Sequence, residues 1–512
     1  MNQVLIDGHS LTIEQLHLVA KAPLKSLNVA LTEASLKAMK KSRDYVFDIV
    51  EKGAPVYGIN TGFGALASKH IPKKDLAQLQ VNLIRSHCTG VGVPFSKTIT
   101  RAIMLLRANC LASGFSGVNP EIVQLLVSFL NHHITPVVPC KGSVGASGDL
   151  APLSHIALAL IGEGDVEYQG KIVSSSFAID QIGLKPAVLG PKDGLALING
   201  TAVMAALGAF AIEEAKRVMK LADICSALTL DGVRGTARAY HPLISSLKPH
   251  LGQLASTENL QKLLKGSEIL VSHPEDGKVQ DPYSLRCVPQ VHGACRQTLR
   301  HADEVLTVEL NSVTDNPLIF VDEDEVISGG NFHGEALALS MDYLAMGLAE
   351  IANISERRIE KMMNPTFSDL PAFLIADSGL NSGLMIAHVT AAALASENKG
   401  LCHPASVDSI PTSTDKEDHV SMGVTSGRKL LEVLQNTKTV LAIELLCNTQ
   451  ALDFQRPLKS SPALEVVHSV IRKHVAHITQ DRVFAKDIQN ILSLIDNNDL
   501  LNSVENTIGE LA

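Results

Sequence analysis

The chain has 512 residues, with 44 Lys and Arg against 53 Asp and Glu for a net charge of -9; 46% of it is hydrophobic, 4% is aromatic and no residue is Trp. No Lys/Arg run exceeds two residues, so there is no phosphate-binding stripe and nucleic acid is not an expected partner. A core this large and this aliphatic favours helices over a sandwich or barrel.

The first residues, MNQVLIDGHSLTIEQ, hold no basic segment followed by an apolar run, and later apolar windows are broken by His388 or Glu444. A cytoplasmic protein without a membrane partner is expected. Eight cysteines (Cys88, Cys110, Cys140, Cys225, Cys287, Cys295, Cys402, Cys447) are scattered with no CxxC pair, unlike a disulfide framework or a zinc knuckle. His132 and His133 are adjacent and diverge on any regular element, and Glu417, Asp418 and His419 lack a second ligand cluster, so no metal is expected.

Up to about residue 200, short helical patterns alternate with Gly- and Pro-rich turns: GAPVYGINTGFGA (53–65), TGVGVPF (89–95), TPVVP (135–139) and KGSVGASGDLAPLSH (141–155). Beyond Thr201 a long helix is predicted, with Leu207, Ala211, Val218, Ala222 and Cys225 on one stripe opposite Glu213, Arg217 and Lys220. The same period recurs over 383–400, stopped by Gly400, and over 427–454. Long loops separate these helices at 270–293, 328–334 and 403–423. The expected organisation is mainly α: a loop-bearing N-terminal domain (1–200) and a long helical bundle (201–512).

Ala146-Ser147-Gly148-Asp149 reads locally as a tight turn in which Ser147 or Asp149 caps a helix. It also meets a steric demand. A backbone amide attacks the carbonyl two residues earlier only where side chains are small, and Gly148 has no Cβ beside its nitrogen. Closure of that nitrogen on the Ala146 carbonyl with loss of water gives a five-membered imidazolone. Loss of the Ser147 hydroxyl as a second water then leaves an exocyclic methylidene, a strong electrophile.

GSVGASGDLAPLSH resembles the signature of the aromatic amino-acid ammonia-lyases, whose prosthetic group is 4-methylideneimidazole-5-one (MIO). VYGINTGFG, NLIRSHCTGVG, ALINGT, VQDPYSLRCVPQVHG, GGNFHGE and EDHVSMG follow in the family's order, so the resemblance spans nearly the whole chain. It implies the helical fold shared with fumarase and aspartase, although the GSSxMPxKxN loop of those enzymes is absent. It also implies MIO from Ala146, Ser147 and Gly148, no metal or diffusible cofactor, and a homotetramer with shared active sites.

The resemblance further assigns roles. Tyr57 matches the tyrosine proposed as the base for the β-proton, a task that calls for a phenol of lowered pKa. Tyr283 matches a general acid or orienting hydroxyl, and which of the two tyrosines accepts the proton stays open. Arg286 matches the arginine that clamps the substrate carboxylate, Gln280 a hydrogen-bonding neighbour of the prosthetic group, Asn199 a contact to that group and substrate, and Phe332 an aromatic beside it. His87 and Glu417 match positions kept by members that act on histidine, where a carboxylate suits an imidazole N–H and penalises a phenyl ring. The implied reaction is release of ammonia from L-histidine to give trans-urocanate; a tyrosine or phenylalanine lyase or aminomutase is the nearest alternative. One departure stands beside the acid: Asp415-Lys416 replaces the family's Asn-Gln.

Overall fold

A computed structural model describes residues 2–273 and 279–512, so residues 274–278 of the 270–293 loop lie outside it. The architecture is mainly α, as expected, and the strands described form only small sheets of two or three members. Two compact units are built from discontinuous stretches of chain. One takes residues 1–210, 303–342 and 404–428; the other takes 211–302, 343–403 and 429–512. The first unit thus includes two later segments that a division at residue 200 places with the bundle.

In the first unit, the parallel pair Asn2–Ile6 and Leu27–Leu31 and a three-stranded antiparallel sheet surround the buried helix Lys97–Ala112. Helix C-termini leave unpaired carbonyls that must be satisfied when buried. Arg101 does this for two helices at once: its guanidinium donates to Val19 O (2.8 Å), Ala20 O (3.2 Å) and Leu130 O (2.8 Å). The helices Leu76–His87, Leu150–Leu160 and Asp193–Ile198 carry the chain to the site described below.

The predicted stripe beyond Thr201 is present in the helix Ala202–Gly232, where Leu207, Ala211, Val218, Ala222 and Cys225 are all buried. The other two periodic stretches form Met385–Leu401 and Gly423–Phe454; the first runs one residue past Gly400 and is capped by Cys402. In the second unit, Glu444, which interrupts an apolar window, is fully buried because it has partners. Arg358 donates to both of its oxygens (2.5 and 2.8 Å) and Thr229 adds a hydroxyl at 2.7 Å. Helix Glu335–Met363 is long and apolar enough to cross a bilayer, yet 72% of that apolar window is buried inside the protein.

The 270–293 stretch is less loop-like than its prolines suggest. Tyr283–Arg286 is a helical turn behind Pro282, and a helix starts at Val288 with Pro289 in its first turn. Proline stops a helix only from inside; in the first turn its missing N–H costs nothing.

Candidate active site

Residues 145–148 form a tight turn. Gly145 and Gly148 face each other as an antiparallel bridge, which puts Ala146 and Ser147 at the tip. Both glycines have a φ of 74° and neither has room for a side chain. A Cβ on Gly145 would sit 2.2 Å from Ser421 Oγ, and one on Gly148 2.2 Å from the Gly200 carbonyl oxygen. Main-chain bonds clamp the turn on three sides: Gly200 N–H donates to Ser147 O (3.2 Å), Asp149 N–H to Gly200 O (2.7 Å) and Met422 N–H to Val144 O (2.9 Å).

Asp149 caps a helix, but not the one that follows it. Its buried carboxylate makes no cap bond within Leu150–Leu160 and instead accepts the amides of Val203 (2.7 Å) and Met204 (3.1 Å) in the first turn of Ala202–Gly232. Burial raises its pKa to about 7, against the lowering effect of those two amides and the Ser143 hydroxyl. The structure carries the encoded Ala-Ser-Gly tripeptide, and its surroundings fit the ring: small side chains at the tip, no space beside Gly148, and rigid backbone holding both flanks. Gly148→Ala places a Cβ against an immovable carbonyl in a left-handed conformation. We expect it to lose roughly 1–3 kcal/mol in chemical denaturation and to abolish the near-ultraviolet absorbance of the prosthetic group.

A cavity of about 690 Å³ opens over this turn. Among the residues singled out in the sequence, Tyr57, His87, Ala146, Ser147, Asn199, Phe332 and Glu417 line it. Gly148 lines a smaller adjoining cavity of about 180 Å³, which shares His87, Ala146 and Glu417.

His87 ends the helix Leu76–His87, and its Nδ1 donates to the Leu83 carbonyl at 2.8 Å, leaving Nε2 as the ring's acceptor. Burial holds its pKa below the usual histidine value, against the raising influence of the Leu83 carbonyl and the Glu417 charge, so the ring is neutral near pH 7. Glu417 is anchored on one oxygen only. Oε2 accepts the hydroxyls of Thr412 (2.7 Å) and Ser413 (2.9 Å), and Oε1 accepts the Ser147 hydroxyl (3.3 Å). The turn that delivers it holds Ser413, Thr414 and Asp415 at φ of 51°, 53° and 61°. Asp tolerates that conformation nearly as Asn does, so Asp415 in place of the family's Asn leaves the turn intact, while Lys416 adds an ammonium to the cavity wall.

Tyr57 departs from expectation. Its phenol pKa is raised, not lowered: burial drives it up, the Gly64 backbone opposes, and the Glu417 charge adds to the rise.

Gln280, Tyr283 and Arg286 belong to the second unit, and none of them lines the cavity over Ser147. Gln280 and Arg286 line a separate cavity of about 450 Å³, and Tyr283 is 68% exposed. The helical spacing of Tyr283 and Arg286 holds, since the guanidinium lies over the ring at 4.3 Å.

Sequence reading passed over other members of the site. Asn316, Gly329 and His333 line the cavity, and Lys192 and Asp315 form a buried ion pair next to Asn199. His333 and Glu335 come within 4.8 Å of His419, a neighbour that no local spacing around His419 reveals.

Comparison with known proteins agrees with this arrangement. The aromatic amino acid lyase family profile matches residues 11–473. A histidine ammonia-lyase from Gloeobacter violaceus is 48% identical over 509 residues, covering 99% of this chain and 98% of that protein. Among solved structures, histidine ammonia-lyase from Trypanosoma cruzi superposes with a TM-score of 0.92 at 42% identity, covering 99% of this chain and 96% of its own. Tyrosine aminomutase from Streptomyces globisporus superposes with a TM-score of 0.94 at 36% identity, with full coverage of both chains. Over nearly its whole length, in its helical architecture and in the glycine-flanked turn beneath the cavity, the chain belongs to the aromatic amino acid lyase family.

Proposed function

We propose that this chain is a carbon–nitrogen lyase that removes ammonia from L-histidine to give trans-urocanate, with MIO formed from Ala146, Ser147 and Gly148. The observation that carries the reading is the assembly of Tyr57, His87, Asn199, Phe332 and Glu417 around Ser147 in one cavity. Once formed, the ring would be held by the turn at residues 145–148 and would supply an electrophile that assists departure of the substrate's amine.

The chain's residues supply the rest. Glu417 faces the imidazole: two hydroxyls hold Oε2, and Oε1 is released to an imidazole N–H once the Ser147 hydroxyl has left. Neutral His87 offers Nε2 as a second acceptor. Tyr57 takes the β-proton, Asn199 and Phe332 hold the substrate over the turn, and the Gly200 amide keeps the Ser147 carbonyl in place. Arg286 binds the substrate carboxylate, with Tyr283 and Gln280 beside it. These three reach the site from another copy of the chain in a homotetramer, for which the high exposure of Tyr283 is the supporting observation.

A phenyl ring has no donor and would leave Oε1 of Glu417 unpaired beneath it, which disfavours phenylalanine. Glu417→Gln keeps the size of the side chain and loses the charge. We expect kcat/KM for histidine to fall about 10- to 100-fold while the near-ultraviolet absorbance of the protein stays unchanged. The function itself is tested by offering histidine, tyrosine and phenylalanine side by side and following the absorbance of the conjugated product. Histidine is expected to dominate; a preference for tyrosine, or a β-amino acid product, would favour the aminomutase-like alternative that the Streptomyces globisporus structure brings to mind.

A further inference from the structure

The carboxamide of Asn199 is held in one orientation by the Asp315 carboxylate and the Asn316 main-chain carbonyl. Asn199 caps the helix Asp193–Ile198, is 2% exposed and lines the cavity. Its Nδ2 donates to Asp315 Oδ1 (3.1 Å) and to the Asn316 carbonyl (3.2 Å). Both of those are oxygens without a proton to give, so turning the amide over would set oxygen against oxygen twice. Its Oδ1 is buried and has no hydrogen-bond partner among the described residues.

Asp315 is itself fixed. Its Oδ2 accepts Lys192 Nζ at 2.7 Å, both side chains are fully buried, and Oδ1 also accepts the Asn316 amide at 2.7 Å. Lys192 is placed by a left-handed backbone with φ of 71° at the start of the same short helix that Asn199 ends. Burial lowers the Lys192 pKa and Asp315 opposes it. A buried ion pair is poor evidence for stability, because desolvation offsets most of the attraction.

We propose that Lys192 and Asp315 are positioning residues for the lyase reaction, locking the Asn199 carboxamide so that its nitrogen faces the protein and its carbonyl oxygen is the end left for the site. This rests on the function proposed above, in which Asn199 contacts the bound substrate. Without the carboxylate, one of the two oxygens that oppose the flipped form is gone and only the Asn316 carbonyl remains to hold the amide.

The test is a double-mutant cycle between the neutral, similarly sized pair variant Lys192→Met/Asp315→Leu and Asn199→Ala, assayed with whichever aromatic amino acid the wild type deaminates. The near-ultraviolet absorbance of each protein checks that the prosthetic group has formed. We expect the pair variant to lose about 10- to 100-fold in kcat/KM, and Asn199→Ala to cost nearly as much in the wild type but less than about threefold in the pair variant. Lys192→Arg, which keeps the ion pair, is expected to recover most of the activity. Additive losses, or full activity in the pair variant, would overturn the proposal. Should the pair variant fail to fold, an atomic-resolution structure of the wild type decides the matter. Carboxamide nitrogen facing Asp315 supports the lock, and oxygen facing Asp315 refutes it. Absence of turnover in the wild type would instead refute the proposed function and leave the orientation of the amide as a separate question.

Discussion

Replacing Ser147 with alanine is expected to lower turnover at least about a thousandfold while leaving thermal unfolding and far-ultraviolet circular dichroism unchanged. The hydroxyl makes one long bond, to Glu417 at 3.3 Å, so the fold loses little when it goes. The turn is clamped by main-chain bonds from Gly200, Asp149 and Met422 and by the hydroxyls of Ser143 and Ser421, and alanine at 147 leaves all of these in place. What disappears is the leaving group whose loss creates the exocyclic methylidene, and no other residue at the tip carries one. The near-ultraviolet band of the wild type, easily seen in a protein without Trp, should vanish with the activity. A Ser147→Ala enzyme with ordinary turnover would remove the basis for placing the chemistry at this turn.

Tyr57→Phe is the second large effect, an expected loss of about 10²- to 10⁴-fold in kcat with the near-ultraviolet band retained. The phenol stands in the same cavity as Ser147, and only its oxygen is lost in the change. Its environment makes the prediction sharper. Burial raises its pKa, the Gly64 backbone opposes and the Glu417 charge adds, so the phenolate is scarce at neutral pH and its fraction grows as pH rises. The working form of a base is the deprotonated one, hence kcat/KM for the wild type should climb with pH through the neutral and mildly alkaline range and level off only above the raised pKa. In Tyr57→Phe that climb should flatten. A profile of unchanged slope in the variant would move the proton acceptor elsewhere, with Tyr283 as the candidate.

Short-range pattern carried much of this structure. A 3.6-residue stripe placed the helix Ala202–Gly232, because each residue of that stripe meets a core whatever its partner is. Small residues at 145–148 marked the tight turn, since only glycine accepts φ of 74° beside backbone at 2.2 Å. Partners far along the chain were not legible. Asp149 looks like the cap of the helix it precedes, yet its acceptors serve amides 54 and 55 residues later. Lys192 and Asp315 are 123 residues apart, and a lysine before a short helix gives no sign that it will be wholly buried. The stretch 270–293 reads as a loop because the sequence does not say on which side of a helix boundary Pro282 and Pro289 fall. The roles of Gln280, Tyr283 and Arg286 came from motif likeness alone. Their unit builds its own cavity, and nothing local in QDPYSLRC points to Ser147.

The central claim is that three encoded residues become an electrophile, and the mass of the intact, active protein tests it most directly. Wild-type chain should weigh less than its translated sequence by two waters, with the whole deficit mapping to a peptide that contains residues 146–148, and Ser147→Ala should regain the second water. An active preparation in which that peptide has its full translated mass would contradict the account.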